Sequence, residues 1–511
     1  MIKTGDAASR QPTDEQQSVL DAAQGATDLA IEALAGTGKT TTLELLAKMN
    51  VNLRGTYVAF NKAIVEEASR RFPKSVDCRT AHSLAYRAVG YRYSSRQSEG
   101  VRMTYPQIAS WLTAPQFHFK SDVADHVLEP ANIAWHAEAT VNNFCQSIDA
   151  ELSSEHVREP VLLKHSNDSL LEFKALVLEL AQKMWQDLQG TSGTLRFDHQ
   201  HYLKLWQLTK PTIAADYILF DEAQDADPVM LDVVNSQSNA QLLYCGDRYQ
   251  AIYEWRGAIN ALEMVNVDER RWLTQSFRFG DAIATQANIY LSALGSKKLV
   301  RGLSSQASRV GPVSNPHAVL CRTNAGVVSA ILAEQSAGRK VAYVGRLQEL
   351  ISFVEQCEQL HQGGRSGHPE LAPFRTWKAV QDYVEMYQSE APNLAVMVNL
   401  VDRFGTQRLL QALRNVVGET VADVAVTTAH RAKGREWLDV KLHGDFPALK
   451  DMDPEDLRLA YVAVTRAQRV LDRTAWDGGA SPMAVGQPVS TAPRVTKVRP
   501  PIDVSRIRKS R

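Results

Sequence analysis

Acidic and amide side chains follow two apolar runs in the middle of the chain. The run YILF leads into Asp221 and Glu222. The run QLLYC leads into Asp247 and Gln250. Each run is typical of a buried parallel strand, and neighbouring parallel strands end at the same edge of a sheet. We therefore expect an oxygen-rich edge that is suited to Mg²⁺.

Aromatic and basic side chains come a few residues later. The stretch GDRYQAIYEWRGA places Tyr253, Trp255 and Arg256 soon after Gln250. An aromatic face stacks on any base, with about 1 to 3 kcal/mol per base, so such residues bind single-stranded nucleic acid without sequence preference. The sequence thus predicts nucleotide chemistry next to a surface for a nucleic-acid strand.

A glycine-rich turn near the N-terminus supplies the phosphate chemistry. The strand-like run LAIEA continues into ALAGTGKT (33–40), and a helical run follows. Glycines let backbone N–H groups face phosphate oxygens, the lysine neutralises the β and γ phosphates, and the threonine offers a hydroxyl to Mg²⁺. Ala33 replaces the first glycine of the strict motif, so an isolated Gly-Lys-Thr turn is the alternative. The strand and helix around it favour a phosphate loop formed by Gly36, Thr37, Gly38, Lys39 and Thr40.

Elements around these motifs predict two α/β cores with parallel sheets, each interrupted by a mainly α-helical insertion. The expected ranges are 1–83 and 206–270 for the first core, 84–205 for its insertion, 271–345 and 423–479 for the second core, 346–422 for a shorter insertion, and 480–511 for a disordered tail.

Composition sets limits on the function classes. The chain has 511 residues and zero formal net charge, so nucleic-acid binding cannot be argued from global charge. The last 31 residues hold seven lysines and arginines against one aspartate. That tail is either a solvated terminus, which such charge blocks commonly are, or a docking element for a protein partner. Five widely spaced cysteines and the lack of a long apolar run predict a cytoplasmic protein without a membrane span.

The phosphate loop defines roles for the acidic edge. We expect Asp221 and Thr40 to hold Mg²⁺ and Glu222 to orient or deprotonate the attacking water. Gln250 is placed to sense the γ-phosphate. Arg278 and Arg466 follow elements of the second core and would neutralise phosphate charge, although each arginine taken alone is more typical of a surface ion pair.

The motifs together resemble the superfamily 1 DNA helicases of the UvrD/Rep/PcrA type. The resemblance rests on EQQ, AGTGKT, FNK, TAHS, DEAQD, GDRYQAIYEWRGA, QSFR, LCRTNA, TAHRAKGREW and LRLAYVAVTRA, and it covers residues 13 to about 470. Within this group, YVAFNKAIVEEASRRFP and CRTAHSLAY look most like the F-box DNA helicases and their bacterial or viral relatives. No F-box-like segment precedes the motor motifs here.

The resemblance implies two RecA-like domains that use ATP and Mg²⁺ to move 3′ to 5′ on single-stranded DNA and to open tailed duplexes. It assigns Gln16 and Phe277 to adenine and Glu436 to the ribose or to coupling. The residues that it assigns to the DNA groove are Phe60, Asn61, His82, Tyr253, Trp255, Arg256, Thr428 and His430. Thr41 stands where UvrD-type proteins usually have an arginine against adenine, so weaker adenine selectivity is expected.

Two alternatives stay open at the level of sequence. The first is a translocase that strips proteins from DNA without processive unwinding. The second is a nucleotide-gated adaptor that works with a partner such as a nuclease or a recombination factor, with the basic tail as its docking element.

Overall fold

The computed structural model describes residues 11–25, 27–59, 62–98, 103–120, 125–160, 167–253, 258–368, 371, 374–386 and 392–476. Contacts between Cα atoms divide these residues into two units. The first unit comprises residues 11–32 and Lys39–Trp272, and the second comprises Ala33–Gly38 and residues 273–476. The phosphate loop is therefore grouped with the second unit, although it joins two elements of the first.

The first sheet has the order β3-β2-β6-β7-β1-β8 among the described strands. Its strands are β1 (Leu29–Ala33), β2 (Gly55–Ala59), β3 (Val76–Thr80), β6 (Tyr217–Phe220), β7 (Gln241–Gly246) and β8 (Glu269–Leu273). The pairings from β3 through β1 are parallel. Strands β1, β2 and β6 are buried along their whole length, as expected for a sheet covered on both faces.

The central pair of this sheet confirms the predicted neighbouring strands. Tyr217 lies opposite Gln241 and Phe220 lies opposite Tyr244 in parallel register. The acidic residues that follow β6 and β7 therefore leave the sheet at one edge, and β1 beside β7 brings the phosphate loop to the same edge. The predicted start of the second core at residue 271 falls inside β8, which is an edge strand of the first sheet. The sequence of this strand, ERRWL, does not indicate which of the two sheets it joins.

Helices surround the first sheet and form its insertion. They are α1 (Asp14–Ala23), α2 (Lys39–Met49), α3 (Lys62–Arg71), α4 (Ala81–Ala88), α5 (Ser94–Ser98), α6 (Tyr105–Leu112), α7 (Pro130–Cys145), α8 (Asn167–Gln189), α9 (His199–Leu208), α10 (Pro228–Asn235) and α11 (Ala261–Met264). One apolar core runs from the sheet, through Val58 and Phe220, into the insertion, where it includes Trp185 and Trp206. The insertion also contains an antiparallel hairpin of β4 (Phe117–Lys120) and β5 (Asp125–Leu128), which the helical periodicity of this region did not predict.

The first helix shows how local sequence fixes an element boundary. The Thr13 hydroxyl accepts the backbone N–H of Gln16 at 3.2 Å, and the Gln16 side-chain oxygen accepts the backbone N–H of Thr13 at 3.1 Å. These reciprocal bonds form a capping box and satisfy N–H groups that a helix start leaves unpaired.

The second sheet has the order β11-β12-β10-β13-β14-β9, and the five pairings are parallel. Its strands are β9 (Arg309–Val310), β10 (Ala318–Cys321), β11 (Val341–Tyr343), β12 (Val424–Thr428), β13 (Trp437–Leu442) and β14 (Ala467–Asp472). The helices of this unit are α12 (Asp281–Ala293), α13 (Asn324–Ser336), α14 (Leu347–His361), α15 (Trp377–Met386), α16 (Pro392–Phe404), α17 (Thr406–Arg414), α18 (Ala429–Ala432) and α19 (Pro454–Val464). Helices α14 to α17 share an apolar core with one face of the sheet. The predicted fold class, two parallel α/β sheets with helical insertions, is confirmed.

We predict that Gly55→Ala destabilises the first sheet. Gly55 pairs with Tyr217, and an added Cβ would lie 2.5 Å from the Tyr217 hydroxyl oxygen and closer still to its ring. Tyr217 is 1% exposed, so overpacking at its ring should cost about 1 to 3 kcal/mol in the free energy of unfolding. Urea denaturation measures this loss. Gly418→Ala, where no atom lies within 4 Å of the added carbon, is the matched control and should unfold like the wild type.

Candidate nucleotide and DNA sites

The turn between β1 and α2 has the backbone geometry of an anion-binding loop. Gly36 and Gly38 have φ values of +74° and +80°, which favour glycine. The Thr37 hydroxyl donates to the carbonyl oxygen of Leu34 at 2.8 Å and closes the turn. The helix that follows begins at Lys39, so its N-terminal N–H groups and dipole favour a negatively charged ligand at the loop.

Lys39 is held by the acidic edge of the first sheet. Its Nζ lies 3.0 Å from Glu222 Oε2. Burial alone lowers the pKa of the Lys39 ammonium, but the carboxylates of Glu222, Asp221 and Asp247 outweigh burial and raise that pKa. Lys39 is therefore a permanent cation, and Glu222 is its nearest counter-ion.

Asp221 is a buried carboxylate with two fixed partners. Its side chain is joined by the Tyr57 hydroxyl, which donates to Oδ2 at 2.6 Å, and by the backbone N–H of Glu222, which donates to Oδ1 at 2.8 Å. Burial, followed by the charge of Glu222, raises the pKa of Asp221 from 3.8 to about 6, against the lowering effect of Lys39 and Tyr57. The sequence alone does not indicate this role of Tyr57, because the hydrogen bond to Asp221 depends on β2 lying beside β6.

Gln224 links the ends of the two acidic strands. Its Nε2 donates to Glu222 Oε2 at 2.5 Å, and its Oε1 accepts the backbone N–H of Asp247 at 3.0 Å. A side chain at position 246 would collide with Gln224 Oε1, which accounts for Gly246. Glu222 itself has φ of +53°, an unusual conformation for a residue with a side chain. Gln224 lies within the quoted DEAQD motif, and that motif was the available signal for it.

Gln250 is held by the end of β7. Asp247 is 1% exposed, and its Oδ2 accepts a hydrogen bond from Gln250 Nε2 at 2.7 Å. Asp247 Oδ1 accepts the backbone N–H of Tyr249 at 3.1 Å, which shapes the short 3₁₀ turn Arg248–Gln250. The side-chain amide of Gln250 is thereby oriented at the edge that carries Asp221 and Glu222.

The donor set at this edge fits a hydrated Mg²⁺ ion. The nearby carboxylates of Asp221, Glu222 and Asp247 are oxygen donors, the ligand type that Mg²⁺ prefers, and Asp221 is buried at the end of its strand. Asp221 and the hydroxyl of Thr40 are the residues that would hold the ion.

Gln16 and Thr41 have partners in the first unit that the sequence did not reveal. Gln16 is 6% exposed, and its Nε2 donates to the Thr42 hydroxyl at 3.1 Å, so it joins α1 to α2 in addition to capping α1. Thr41 Oγ1 accepts a hydrogen bond from Arg71 Nη2 at 3.2 Å. Arg71 is also paired with Glu44 at 2.7 Å, so a guanidinium from α3 stands beside the position at which the helicase resemblance predicted an arginine.

Besides Gly36, Thr37 and Gly38 of the loop, four predicted nucleotide residues belong to the second unit: Phe277, Arg278, Glu436 and Arg466. Phe277 is 39% exposed. Arg278 donates through Nε to Glu436 Oε2 at 2.5 Å and through Nη1 to the carbonyl oxygen of Thr465 at 3.1 Å. Arg466 is 2% exposed, and its Nε donates to the carbonyl oxygen of Val462 at 2.9 Å. Arg278 and Glu436 are thus brought together, and Arg278 also contacts the turn that carries Arg466.

The predicted DNA residues are only partly described. Phe60, Asn61, Trp255 and Arg256 lie outside the described residues. His82 on α4 makes edge-to-face contacts with His199 and Tyr202, at 6.1 and 6.2 Å between ring centroids. Burial, and next His199, lower the pKa of His82, which favours a neutral imidazole near pH 7. Tyr253 is half-buried just before the undescribed stretch 254–257.

A Thr-Ala-His segment occurs once in each sheet. Thr80 ends β3 and accepts the backbone N–H of Ser83 at 3.1 Å, and Thr428 ends β12 and accepts the backbone N–H of Arg431 at 3.4 Å. In both places the threonine caps a short helix, α4 or α18, and the histidine lies in its first turn. His82 and His430 thus have the same local setting, although β3 is an edge strand of its sheet and β12 is an inner strand.

A second group of residue types that can bind metals is better explained by a role in holding the fold together. Cys321, His443 and Asp445 offer ligand atoms within 4.8 Å of one another. The Asp445 oxygens accept hydrogen bonds from the backbone N–H groups of Arg322 and Thr323, at 3.0 and 2.9 Å, and from the Thr323 hydroxyl at 2.9 Å. Asp445 therefore fixes the turn after β10, and a metal would have to displace these donors.

Comparison with known proteins identifies the family of the chain. The UvrD/REP helicase N-terminal domain matches residues 13–266, and the UvrD-like helicase C-terminal domain matches residues 423–471. The chain belongs to the UvrD/Rep helicase family, as the motifs predicted. Among the described residues, no helix is long and apolar enough to cross a membrane.

Relatives in the curated proteins extend over most of the chain. F-box DNA helicase protein 1 of Schizosaccharomyces pombe is 30% identical over 511 residues, which cover 90% of this chain and 57% of that protein. F-box DNA helicase 1 of Gallus gallus is 30% identical over 503 residues, with 90% and 48% covered. A probable DNA helicase of Mycoplasma pneumoniae is 25% identical over 281 residues, or 51% of this chain and 43% of that protein. The chain spans about half the length of these relatives.

We predict that Asp221→Asn stabilises the nucleotide-free protein at alkaline pH. The pKa of Asp221 is raised in the folded state, so its ionisation opposes folding above pH 6, and this cost disappears as the pH falls below the ordinary value near 4. The variant should exceed the wild type in free energy of unfolding by up to about 3 kcal/mol at pH 8, with convergence near pH 4.

Denaturant unfolding in EDTA at pH 8, 6 and 4 measures this difference. The exposed substitution Asp14→Asn is the control and should follow the wild type at each pH. A variant that is less stable than the wild type at pH 8 would contradict the assigned cost of the buried carboxylate.

Proposed function

We propose that this protein is an ATP-dependent DNA helicase that translocates 3′ to 5′ on single-stranded DNA. The observation that carries the proposal is the ion pair of Lys39 with Glu222, 3.0 Å apart, between the phosphate loop and the end of β6. It brings the phosphate-binding cation and the candidate water-activating carboxylate together with Asp221. Membership of the UvrD/Rep helicase family supports DNA as the substrate.

Binding of ATP would rearrange the partners of Lys39. The β and γ phosphates are stronger acceptors for its ammonium than one carboxylate, so Lys39 leaves Glu222 when the triphosphate fills the loop. Glu222 is then free to orient the attacking water, and Gln224 keeps its carboxylate aligned through the 2.5 Å hydrogen bond. A Mg²⁺ ion held by Asp221 and Thr40 would supply charge neutralisation on the phosphate oxygens.

Arginines of the second unit would complete the charge clamp. Arg278 is paired with Glu436, and Arg466 is buried with its guanidinium bonded to the carbonyl oxygen of Val462. Both guanidiniums are fixed in direction before any ligand binds, which favours electrostatic stabilisation of phosphoryl transfer. Phe277, with its exposed ring, is our candidate for stacking on adenine, and Gln16 is our candidate for a further contact with adenine.

The DNA strand would follow the Thr-Ala-His segments and the aromatic stretch. His82, Thr428 and His430 offer hydrogen bonds at strand ends, and Tyr253 offers a face for stacking. Phe60, Asn61, Trp255 and Arg256 join this surface on the sequence argument alone. The proposed substrates are single-stranded DNA and duplexes with a single-stranded tail.

We predict that Glu222→Gln removes ATP hydrolysis that single-stranded DNA stimulates in the wild type. Loss of a general base typically lowers kcat by about 10²- to 10⁴-fold. Lys39→Ala should abolish hydrolysis by removing the phosphate cation. Phosphate release with and without oligo(dT) is the measurement, and Glu66→Gln, an exposed carboxylate of α3, is the matched control. Equal rates in Glu222→Gln, Lys39→Ala and wild type, with no response to DNA, would rule out the proposed motor.

We predict that duplexes open from a 3′ single-stranded tail and stay closed with a 5′ tail. A strand-displacement assay with the two duplexes side by side measures polarity and unwinding together. Unwinding from the 5′ tail would overturn the proposed direction. DNA-stimulated hydrolysis without strand displacement would identify a protein-stripping translocase, and nucleotide binding without stimulated hydrolysis would favour an adaptor.

A further inference from the structure

Tyr461 lies on helix α19 of the second unit and contacts the phosphate loop. It is 0% exposed, and its hydroxyl oxygen accepts the backbone N–H of Ala35 at 2.9 Å. Ala35 lies two residues before Thr37 in the loop, and both Ala35 and Tyr461 belong to the second unit. A buried N–H group that loses its acceptor carries a large cost, so this hydroxyl constrains the loop backbone.

Two backbone hydrogen bonds hold the same loop beside Tyr461. Leu34 N–H donates to the carbonyl oxygen of Leu273 at 3.0 Å, and Phe277 N–H donates to the carbonyl oxygen of Gly36 at 2.8 Å. A Cβ at Gly36 would lie 2.5 Å from the Ser276 hydroxyl oxygen. The loop is therefore packed tightly against the segment that carries Phe277 and Arg278. A small shift of this segment or of Tyr461 would change the shape of the loop.

The helix that carries Tyr461 also sets the position of both arginines. The Thr465 hydroxyl donates to the carbonyl oxygen of Tyr461 at 2.8 Å, and the Thr465 carbonyl oxygen accepts from Arg278 Nη1 at 3.1 Å. Arg466 Nε donates to the carbonyl oxygen of Val462. One turn at the end of α19 thus connects the loop anchor with the charge clamp.

Candidate DNA residues of this unit lie on a short helix beside α19. Helix α18, which Thr428 caps and which contains His430, packs against α19. Ala429 and Ala432 of α18 are 0% exposed, as are Ala460 and Val464 of α19. Close-packed interiors transmit displacement and do not absorb it, so a shift of α18 would be passed on to α19.

We propose that Tyr461 is a positioning residue that relays DNA contact at α18 to the phosphate loop. This relay rests on the proposed function, because it gives DNA stimulation of ATP hydrolysis a physical connection. DNA held by Thr428 and His430 fixes α18, α18 fixes α19, and the Tyr461 hydroxyl holds Ala35 so that the loop N–H groups face the phosphates. Tyr461→Phe keeps the ring and removes the connection.

The test compares the ATPase rates of full-length wild type and Tyr461→Phe with and without saturating oligo(dT). The ratio of the two rates should fall about three- to tenfold in the variant, which is the effect of one net hydrogen bond. Tyr290→Phe is the matched control, because Tyr290 is 1% exposed in the same unit and stacks on Trp476 instead of reaching the loop. Its ratio should equal that of the wild type, and saturating oligo(dT) in every assay keeps differences in DNA affinity out of the comparison.

A stimulation ratio in Tyr461→Phe equal to that of the wild type overturns the relay and leaves the proposed helicase intact. An equal loss of rate with and without DNA also overturns it, because Tyr461 would then support the loop alone. A wild type that DNA does not stimulate overturns the proposed function and the relay together.

Hydrogen exchange of the wild type tests the relay without a substitution and covers the case in which Tyr461→Phe fails to fold. The amide of Ala35 should exchange more slowly when oligo(dT) is added, since DNA contact strengthens its hydrogen bond. Unchanged exchange in a peptide that contains Ala35, with saturating DNA, overturns the relay.

Discussion

The first unit depends on one ammonium group among buried carboxylates. Asp221 and Asp247 are nearly inaccessible at the ends of adjacent strands, with Glu222 beside them, and Lys39 supplies the positive charge. Buried charges of like sign are tolerated only with a close counter-ion or a bound cation. The same requirement would suit the proposed ligands, because a nucleotide with a divalent cation would supply phosphate for Lys39 and positive charge for the carboxylates at the same time.

Features that depend on residues close together in the chain could be predicted from the sequence. The strands before Asp221 and Asp247 are neighbours in the chain and mostly apolar, so their pairing could be predicted. The cap of the first helix involves Thr13 and Gln16, which lie within four residues of the chain. Tyr57, Gln224 and Tyr461 gain their roles from contacts that depend on sheet order and on side-chain direction. A tyrosine in an apolar strand or helix looks like core until its hydroxyl is seen to meet a specific partner. The assigned nucleotide and DNA roles remain predictions.

The two Thr-Ala-His segments show the same local solution in both sheets. In each, a threonine that ends a parallel strand turns its hydroxyl to the first free N–H groups of a short helix. The strand end is thereby rigid while the histidine is presented beside it. The same three residue types therefore produce the same local backbone arrangement in both sheets.

The hydrogen bond between Ala35 and Tyr461 joins residues 426 positions apart. A contact over such a separation is slow to form, because the entropy cost of loop closure grows with loop length. During synthesis, α2 and the strands of the first sheet can form while α19 has not yet been made. The phosphate loop therefore acquires this support only once α19 has been made and has packed, and a chain cut before α19 lacks it.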